Sequence, residues 1–588
     1  MPAAGFRPTP PPARTNRLDE LIGSLPMPEA AAIRAWLSDG APDGRVRPTA
    51  LVESHEPVGN AVAPPDGTDP DGIRRVGIIG GGTAGYLTAL ALRATRPWLD
   101  VSVVESKDIP IIGVGEATVP SILPFLHYLI GLDPVDFYAN VTPTWKLGIK
   151  FDWGPNPGGF MAPFDWASHS VGMLGALASE GSINGFTVES MLMAADRAPV
   201  IDIGGRLASL LKFMPFAYHL DNVRFVGYLA RISAARGVHH VDATVADVVL
   251  SGEDWVECLR TTDGRELRFD FYVDCTGFRS RLLEQALGVR YESYAASLLT
   301  DSAVTANLAH GGHLKPYTTA KTMDAGWCWV IPVPENDHLG YVYSSAAISD
   351  EDAAAELARR FPGAEDFKQV RFKSGRHEQA WRGNVMGIGN SYAFVEPLES
   401  SALLMITIEI GILASSLPRT WRDPVPRDGV NAFLAKSWDA LRWFLAAHYR
   451  FNTRLDTAFW RNARQTVDIS GYLPLLDVFA TGAPLSRRDD YTQSIAEAAA
   501  PPFYELAGVD TILLGQGVPT RLLPGAESPD RWRARHDAAE LLVRRALPQR
   551  EALQVVASRG DLLSELFDER GGWLAPFWKW RTPQRPAC

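Results

Sequence analysis

Residues 76–92 read VGIIGGGTAGYLTALAL and contain the pattern from which the fold class can be predicted. The apolar run at 76–79 has the length of a buried strand, the glycines that follow form a turn, and residues 86–92 have the composition of a helix. A second apolar run, VSVV at 101–104, comes after that helix. The order strand, turn, helix, strand is how a parallel sheet begins, so the stretch predicts an α/β fold of the Rossmann-like type.

The glycine turn matches the dinucleotide-binding pattern GxGxxG, and an acidic residue ends the next strand. Gly80 permits the tight turn, Gly82 lets the backbone approach a pyrophosphate, and Gly85 lets helix and strand pack closely. The N–H groups at the start of the helix suit phosphate oxygens, and a carboxylate at residue 105 suits the ribose hydroxyls. The predicted nucleotide-binding residues of this segment are Gly80, Gly82, Thr83, Ala84, Gly85 and Glu105.

Later turns favour FAD over NAD as the dinucleotide. VDCTG at 273–277 places an aspartate at a strand end, as on the far side of a flavin site, and GIG at 387–389 precedes FVEPLES at 394–400. Three such turns fit one extended dinucleotide, and no second complete GxGxxG indicates a separate NAD(P)H domain. The further FAD-binding candidates from these turns are Asp274, Gly277, Gly389, Glu396 and Pro397.

The composition of the 588 residues changes along the chain and predicts three parts. Residues 1–72 are expected to be an N-terminal extension, partly disordered and partly short helices, because Pro, Gly, Asp and Ala dominate most of it. Residues 73–430 are expected to be an FAD-binding module with interleaved substrate-binding segments. Residues 431–588 are expected to be a mainly helical substrate-binding subdomain, with amphipathic stretches at 431–448, 530–547 and 550–567. A C-terminal aromatic cluster of Trp573, Phe577, Trp578 and Trp580 is expected to pack onto the body.

Charge and cysteine content exclude several classes of protein. The 57 basic and 68 acidic side chains leave a net charge of −11, which argues against a general nucleic-acid binder. The four cysteines are scattered without a CxxC pair, so neither a structural zinc site, another metal site nor a disulfide framework is expected. The chain shows no signal peptide and no run of about 18 apolar residues. We therefore expect a cytoplasmic protein without a membrane span.

Six motifs in order resemble the flavin-dependent tryptophan halogenase family over roughly residues 74–520. They are GGGTAGY at 80–86, GVGEATVP at 113–120, WKLGIKF at 145–151, WCWVIP at 327–332, EPLES at 396–400 and AHY at 447–449. The fourth motif resembles the WxWxIP signature of that family. Flavin hydroxylases of the same fold lack both this signature and the lysine motif WKLGIKF. The resemblance implies a flavin monooxygenase fold and adds Gly115, Glu116, Ala117 and Thr118 to the FAD-binding residues.

The resemblance also implies a division of chemical labour. FAD reduced by a separate flavin reductase would use O2 to oxidise chloride to hypochlorous acid, which would pass through a tunnel to the catalytic Lys146. Lys146 would hold the oxidant by a hydrogen bond or as a chloramine, and Glu399 would polarise it or assist proton loss from the ring. The family binds chloride with backbone amides just after the Glu-Ser pair, here Ser401 and Ala402, where the family usually has Thr-Gly.

Physical chemistry agrees with a lysine in this role. A dry interior lowers the pKa of an amine, and the neutral amine is the form that can be chlorinated. Lysine can lose its proton, whereas arginine cannot. Keeping the oxidant away from bulk solvent also limits side reactions with other electron-rich groups.

The resemblance places the substrate on an aromatic wall and predicts an indole without a free amino-acid head group. Enzymes of the family that act on free tryptophan clasp that head group with a tyrosine pair and a glutamate, and the corresponding positions here are Thr492, Gln493 and Ala499. A histidine of the indole wall becomes Ala162. Buried charges need partners, and the stretch AAPP at 499–502 offers none. The predicted substrate-binding residues are Phe164, Trp327, Trp329, Ser400, Phe503 and Tyr504.

Several functions stay open at this point. A tryptophan inside a peptide, as in lanthipeptide biosynthesis of an antibiotic, is the leading substrate, and a small hydrophobic indole or pyrrole is the alternative. A flavin-dependent aromatic hydroxylase would share the fold, and a flavin-carrying binding protein without turnover is the non-enzymatic alternative. The expected partners are the indole or peptide substrate and the reductase, with no nucleic acid and no membrane, and a homodimer is compatible with the sequence.

Overall fold

A computed structural model describes residues 64–109, 115–164, 169–524 and 528–567, together with the isolated positions 30, 573–574 and 577. Most of the predicted N-terminal extension therefore lies outside the described residues, as do Trp578 and Trp580 of the predicted aromatic cluster. The two described aromatic members of that cluster, Trp573 and Phe577, are buried, and the prediction that they pack onto the body is confirmed.

The strands are β1 Arg75–Ile79, β2 Asp100–Glu105, β3 Gly115–Ala117, β4 Thr144–Lys146, β5 Gly148–Asp152, β6 Phe160–Pro163, β7 Arg197–Ile203, β8 Arg206–Ser209, β9 Ala217–Asp221, β10 His239–Asp242, β11 Val245–Leu250, β12 Val256–Thr261, β13 Glu266–Leu267, β14 Phe271–Asp274, β15 Tyr291–Ser293, β16 Ser302–Leu308, β17 Thr318–Met323, β18 Gly326–Pro332, β19 Asp337–Tyr343, β20 Glu365–Arg371, β21 Gly375–His377, β22 Trp381–Arg382, β23 Val385–Gly387, β24 Ala393–Phe394 and β25 Ala546–Pro548. The helices are α1 Thr83–Thr95, α2 Ile122–Pro124, α3 Pro134–Val141, α4 His169–Glu180, α5 Val188–Ala194, α6 Asn222–Ala235, α7 Asp350–Arg360, α8 Ser401–Ser416, α9 Arg427–Phe451, α10 Ala458–Thr466, α11 Leu473–Thr481, α12 Asp490–Ala499, α13 Leu506–Gly515, α14 Pro529–Arg545, α15 Gln549–Ser558 and α16 Gly560–Leu566.

A mostly parallel sheet with the strand order β10-β2-β1-β14-β23-β22 confirms the predicted α/β fold. Strand β1 is almost wholly buried and pairs in parallel with β2 and β14, and β14 pairs in parallel with β23. The register sets Ile79 beside Asp274 and Asp274 beside Gly387. Because parallel strands end on the same edge of a sheet, the three turns singled out in the sequence meet there.

Two further sheets carry residues of three more motifs. A seven-stranded sheet with the order β20-β16-β19-β18-β17-β5-β6 contains the WCWVIP segment on β18. A three-stranded sheet has β9 in its centre, flanked by β3 and β4. In this small sheet Ala117 and Thr144 both lie opposite His219, and Lys146 lies opposite Ala217. The small sheet thus joins the GEA segment to the strand that carries the lysine.

The sequence predicts a mainly helical part at 431–588, and the described residues of this part form mostly the helices α9 to α16. Two of the predicted amphipathic stretches form α9 and α14. The third, 550–567, is two helices, because Arg559 leaves the helical region with φ −126° and ψ 72°. Gly560, which follows it, is a poor helix former. No helix in the described part of the chain is long and apolar enough to cross a membrane.

Candidate active site

A cavity of about 910 Å³ opens at the carboxyl edge of the parallel sheet, where the three turns meet. Its size lies within the range of cofactor and ligand sites. The predicted site residues that line it are Gly80, Gly82, Thr83, Ala84, Glu105, Gly115, Glu116, Ala117, Gly277, Trp329, Pro397 and Ala402. The structure therefore brings together residues from four of the six sequence motifs around one cavity.

The glycines of GxGxxG shape a cradle at the start of α1. Gly80 has φ +122°, and a Cβ there would lie 2.2 Å from the carbonyl oxygen of Cys275. A Cβ on Gly85 would lie 1.9 Å from the carbonyl oxygen of Gly80, whereas a Cβ on Gly82 would meet nothing within 4 Å. Gly82 caps α1 without a side-chain hydrogen bond. The open space before free helical N–H groups fits a pyrophosphate.

Glu105 is fixed at the rim of the cavity by two neighbours. Tyr86 donates its hydroxyl to Oε1 of Glu105 at 2.7 Å, and Nε2 of His240 lies 2.6 Å from the same oxygen. Burial and the adjacent carboxylate raise the pKa of Tyr86, so its hydroxyl keeps its proton. Oε2 of Glu105 lies next to Gly81, and this arrangement fits the hydroxyls of a ribose.

Other predicted FAD-binding residues support the cavity wall from behind it. Asp274 is buried and accepts hydrogen bonds from the backbone N–H groups of Thr276, Leu282 and Leu283. Burial raises the pKa of Asp274. Gly389 adopts φ +68° and donates its N–H to Oε2 of the buried Glu409 at 2.7 Å. These residues hold the turns in place rather than facing the cavity.

Lys146 is fully buried on β4, beside the small sheet. Its Nζ donates to the carbonyl oxygen of Thr118 at 2.9 Å and to Oγ of Ser400 at 2.6 Å, and lies 5.0 Å from the centre of the Phe164 ring. Burial lowers the pKa of Lys146 to about 7, and the nearby Glu399 opposes that change. A neutral amine is therefore well populated near neutral pH.

Thr118 serves this site through its backbone. Its carbonyl accepts the bond from Lys146, while its hydroxyl donates to the carbonyl oxygen of Tyr218 at 2.7 Å and accepts from the N–H of the same residue at 2.9 Å. The sequence predicts it as an FAD-binding residue, but its side chain is buried between strands. Thr118 thus ties the GEAT segment of the cavity wall to the lysine.

The N-terminus of α8 lies between the cavity and the lysine. Ser400, which precedes the helix at φ +55°, bonds Lys146, and Ala402 lines the cavity. Ser401 is buried, and its Oγ has no hydrogen-bond partner among the described residues. A helix N-terminus with an unpaired buried donor fits a small anion, which is where the sequence predicts chloride.

Glu399 is paired with the histidine of the AHY motif, a residue for which the sequence alone predicts no role. Oε1 of Glu399 lies 2.6 Å from Nε2 of His448, and both side chains are buried. Nδ1 of His448 lies 2.9 Å from the carbonyl oxygen of Phe444 one turn earlier on α9. The hydroxyl of Tyr504 donates to the backbone oxygen of Glu399 at 3.2 Å. The AHY motif therefore supplies the partner of the predicted catalytic glutamate.

The two tryptophans of WCWVIP form a wall, and they differ in whether the indole N–H has a hydrogen-bond partner. Trp327 donates its N–H to Oε1 of the buried Glu396 at 3.3 Å. Thr300 donates its hydroxyl to the other oxygen of that carboxylate, and burial raises the pKa of Glu396. Trp329 lines the cavity, and its buried N–H has no partner within the described parts of the chain. An occupant of the cavity with an acceptor atom would satisfy it.

The predicted substrate wall lies on the helical side of the lysine. The Tyr504 ring packs 4.8 Å from Phe444 and 5.9 Å from the buried Phe503. The predicted head-group positions are already engaged: Thr492 donates its hydroxyl to Asp489 at 2.7 Å. The Gln493 amide donates to two backbone carbonyls at 3.1 and 2.8 Å. This wall therefore offers aromatic faces, and neither Thr492 nor Gln493 provides a charged group for a substrate.

No cluster of three or more metal-ligating side chains occurs in the residues that the structure describes. Several buried polar groups, among them Glu399, Ser400 and Ser401, lie near the cavity and the lysine. Such an arrangement suits a dinucleotide in the cavity and an electrophilic reaction at an amine outside it.

The comparisons with known proteins agree with this geometry. The tryptophan halogenase family model matches residues 75–530. The crystal structure of MibH, a lanthipeptide tryptophan 5-halogenase, is 62% identical, with a TM-score of 0.85 over 87% of this chain and 98% of that one. BrvH, a flavin-dependent halogenase from Brevundimonas sp. BAL3, is 31% identical, with a TM-score of 0.71 over 82% of this chain and 99% of its own. The tryptophan 7-halogenase RebH of Lentzea aerocolonigenes is 30% identical over 78% of this chain and 91% of its own.

Proposed function

The chain belongs to the tryptophan halogenase family of flavin-dependent enzymes, and from that premise we propose that it chlorinates the indole ring of a tryptophan held within a peptide. The observation that carries the proposal is the buried amine of Lys146, which is bonded to Ser400 next to the Glu399 carboxylate. An amine with a pKa of about 7 can accept oxidised chlorine near neutral pH.

The cavity would hold FAD, and chloride, O2 and a separate flavin reductase would be the co-reactants. When bound in its reduced form, FAD would supply two of the electrons that O2 takes up, and chloride would supply two more as it becomes hypochlorous acid. The Gly82 turn would bind the pyrophosphate, and Glu105 would bind a ribose. The unpaired N–H of Trp329 would donate to an acceptor on the cavity's occupant. The amides that start α8, at Ser401 and Ala402, would bind chloride.

Separation of the two centres supports selective chlorination. Lys146 is fully buried, so an oxidant that it holds is kept from bulk solvent. Phe164 covers the amine on one side, and Ser400 and the carbonyl of Thr118 orient it. The chain's own contribution is therefore to hold the nitrogen, exclude water and present the substrate ring.

Two features of the substrate wall support a peptide over free tryptophan. A free amino acid would bring a carboxylate and an ammonium that need partners once they are buried. Thr492 and Gln493 already spend their donors within their own segment. Ala499 adds only a methyl group. A tryptophan whose backbone is capped by peptide bonds and left outside the pocket avoids this cost, and lanthipeptides are the leading class.

The test is mass spectrometry of a tryptophan-containing lanthipeptide incubated with the enzyme, FAD, a flavin reductase, O2 and chloride. We expect one chlorine in place of one ring hydrogen, and slower turnover of free tryptophan. Lys146→Met should abolish the product. The matched control is Lys321→Met, because Lys321 also lies over an aromatic ring, Phe361 at 5.1 Å, but on β17 away from Ser400.

Four outcomes would contradict the proposal. A hydroxylated product would identify a hydroxylase, and flavin binding without any product would identify a binding protein. Equal turnover of free tryptophan and of the peptide would refute the substrate class. Chlorination of a small hydrophobic indole but not of the peptide would favour the alternative substrate.

A further inference from the structure

The contacts of His448 fix which ring nitrogen carries the hydrogen when the imidazole is neutral. It is fully buried on α9, and its ring packs against the rings of Phe151, Trp153 and Phe444. Nδ1 lies 2.9 Å from the carbonyl oxygen of Phe444. A carbonyl oxygen can only accept, so Nδ1 carries a hydrogen in every state of this pair.

The contact between His448 and Glu399 then contains one proton. Nε2 and Oε1 lie 2.6 Å apart, and two acceptors cannot approach so closely without a hydrogen between them. That hydrogen belongs either to an imidazolium facing a carboxylate or to a carboxylic acid facing a neutral imidazole. In both cases the pair stores one proton that the carboxyl group can give up or regain.

The other carboxyl oxygen of Glu399 is free to react. None of the described residues hydrogen-bonds Oε2, and the next residue, Ser400, bonds Nζ of Lys146 at 2.6 Å. The residue that shares the proton, Glu399, is thus adjacent in sequence to the residue that bonds the amine of Lys146. This position relates the pair to the chemistry at Lys146 rather than to the flavin cavity.

Few charged groups face the pair from the surrounding elements. Lys146 on β4 interacts with Glu399, and Glu396 of the same loop interacts with His448. Tyr472 before α11 and Tyr504 before α13 also face the carboxylate. Burial raises the pKa of both tyrosines and of Glu396, so the two phenols stay neutral.

We propose that His448 is a positioning residue that acts through Glu399, so that the pair lends one proton to the atom that releases chlorine and regains one from the ring. This inference rests on the proposed function. The chlorine bonds to the ring carbon, and the electron pair of its former bond stays on the lysine nitrogen or on the oxygen of hypochlorous acid. That atom takes the lent proton. The C–H bond then breaks, its electrons restore the aromatic ring, and its proton returns to Glu399.

The numbers of protons given and received are equal, so no further reactant is needed. The releasing atom gains one hydrogen, the ring loses one, and the pair ends as it began. A histidine that only oriented Glu399 would give no such cycle, because any neutral donor could hold the carboxylate equally well. The two roles therefore differ in what happens when the imidazole is replaced by an amide.

The test compares His448→Gln with the parent, using a peptide substrate deuterated on the indole carbons. The amide can still donate to Glu399 but cannot exchange the proton. We expect the KM for the peptide and the affinity for FAD to change little. The kcat should fall about 100-fold, as for loss of general acid–base catalysis, and a ring-deuterium isotope effect should appear because C–H cleavage becomes limiting.

The matched control is His127→Gln. His127 is also buried, with Nδ1 3.0 Å from a backbone carbonyl and Nε2 3.1 Å from the hydroxyl of Tyr218, but it does not contact Glu399. We expect the parent kcat and no new isotope effect. A His448→Gln variant with the parent kcat and no ring isotope effect would overturn the inference.

A measurement on the parent enzyme covers the case in which His448→Gln does not fold. Single-turnover chlorination in mixtures of H2O and D2O should show a solvent isotope effect that depends linearly on the deuterium fraction, as one transferred proton requires. The absence of that effect would also overturn the inference. Failure of the proposed function is distinct from both results, since the parent would then give no chlorinated peptide at all.

Discussion

Nζ of Lys146 and Oγ of Ser400 lie 2.6 Å apart, although 254 positions separate the two residues in the chain. The amine also bonds the carbonyl of Thr118, whose segment lines the cavity. The lysine is therefore bonded both to the segment that follows β3 and to the segment that precedes α8. Its position is set by the fold of the whole molecule.

Removing the hydroxyl of Ser400 tests how far this bond orients the amine. Ser400→Ala leaves a buried amine with only one hydrogen-bond acceptor, and we expect kcat for chlorination to fall about tenfold, the equivalent of one buried hydrogen bond. The affinity for FAD should not change. Steady-state kinetics and a flavin titration measure the two quantities, and an unchanged kcat would show that the carbonyl of Thr118 alone orients the amine.

The buried amine should also leave a signature in the pH dependence of stability. Burial lowers the pKa of Lys146 from its ordinary 10.5 to about 7, so between these values the unfolded chain binds more protons than the folded one. The free energy of unfolding then rises with pH across that window, and the amine's penalty is largest below pH 7. Denaturant titrations from pH 7 to pH 10 should show a steeper rise for the parent than for Lys146→Met.

Lys321→Met serves as the reference for that measurement, because it removes a lysine from a position away from Ser400. It should preserve the parent's pH slope. Identical slopes for the parent and Lys146→Met would mean that the amine is hydrated in solution, and the proposed role of a neutral lysine would then fail.

Two glycines of the cradle should separate flavin binding from folding. A Cβ on Gly82 would meet nothing within 4 Å, so Gly82→Ala should fold with the parent's melting temperature. The methyl group would nevertheless occupy the space proposed for the pyrophosphate, and we expect the Kd for FAD to rise at least about tenfold. Gly85→Ala puts a Cβ 1.9 Å from the carbonyl oxygen of Gly80 and should lower the melting temperature instead. Calorimetry and flavin fluorescence distinguish the two, and unchanged FAD affinity in Gly82→Ala would contradict the cradle.

The turns around the cavity could be predicted from the sequence because each is a local pattern. The GxGxxG turn and the DCTG turn each follow a short buried strand, and the parallel register then brings the ends of those strands together. Amphipathic periodicity likewise predicted α9 and α14. These local patterns predict the edge of the sheet at which a ligand would bind.

Pairings between distant buried side chains could not be predicted in the same way. His448 contacts Glu399 across 49 positions, and no periodicity in either segment indicates that contact. Glu396 was predicted to bind FAD, but its carboxylate faces Trp327 and Thr300 behind the wall. Which way this buried carboxylate points depends on how the loop before α8 packs against Trp327 of β18, which only the folded chain defines.

The two tryptophans of that wall should respond differently to the same substitution. Trp327→Phe removes the indole N–H that bonds the buried Glu396 at 3.3 Å, and leaving a buried acceptor with one donor fewer should cost about 1–3 kcal/mol of stability. Trp329→Phe removes an N–H that has no partner among the described residues, so we expect little change in stability. Because Trp329 lines the cavity, its substitution should instead weaken FAD binding. Thermal unfolding without flavin, compared with a flavin titration of each variant, measures both effects; equal losses of stability would show that the Trp329 N–H is paired in solution.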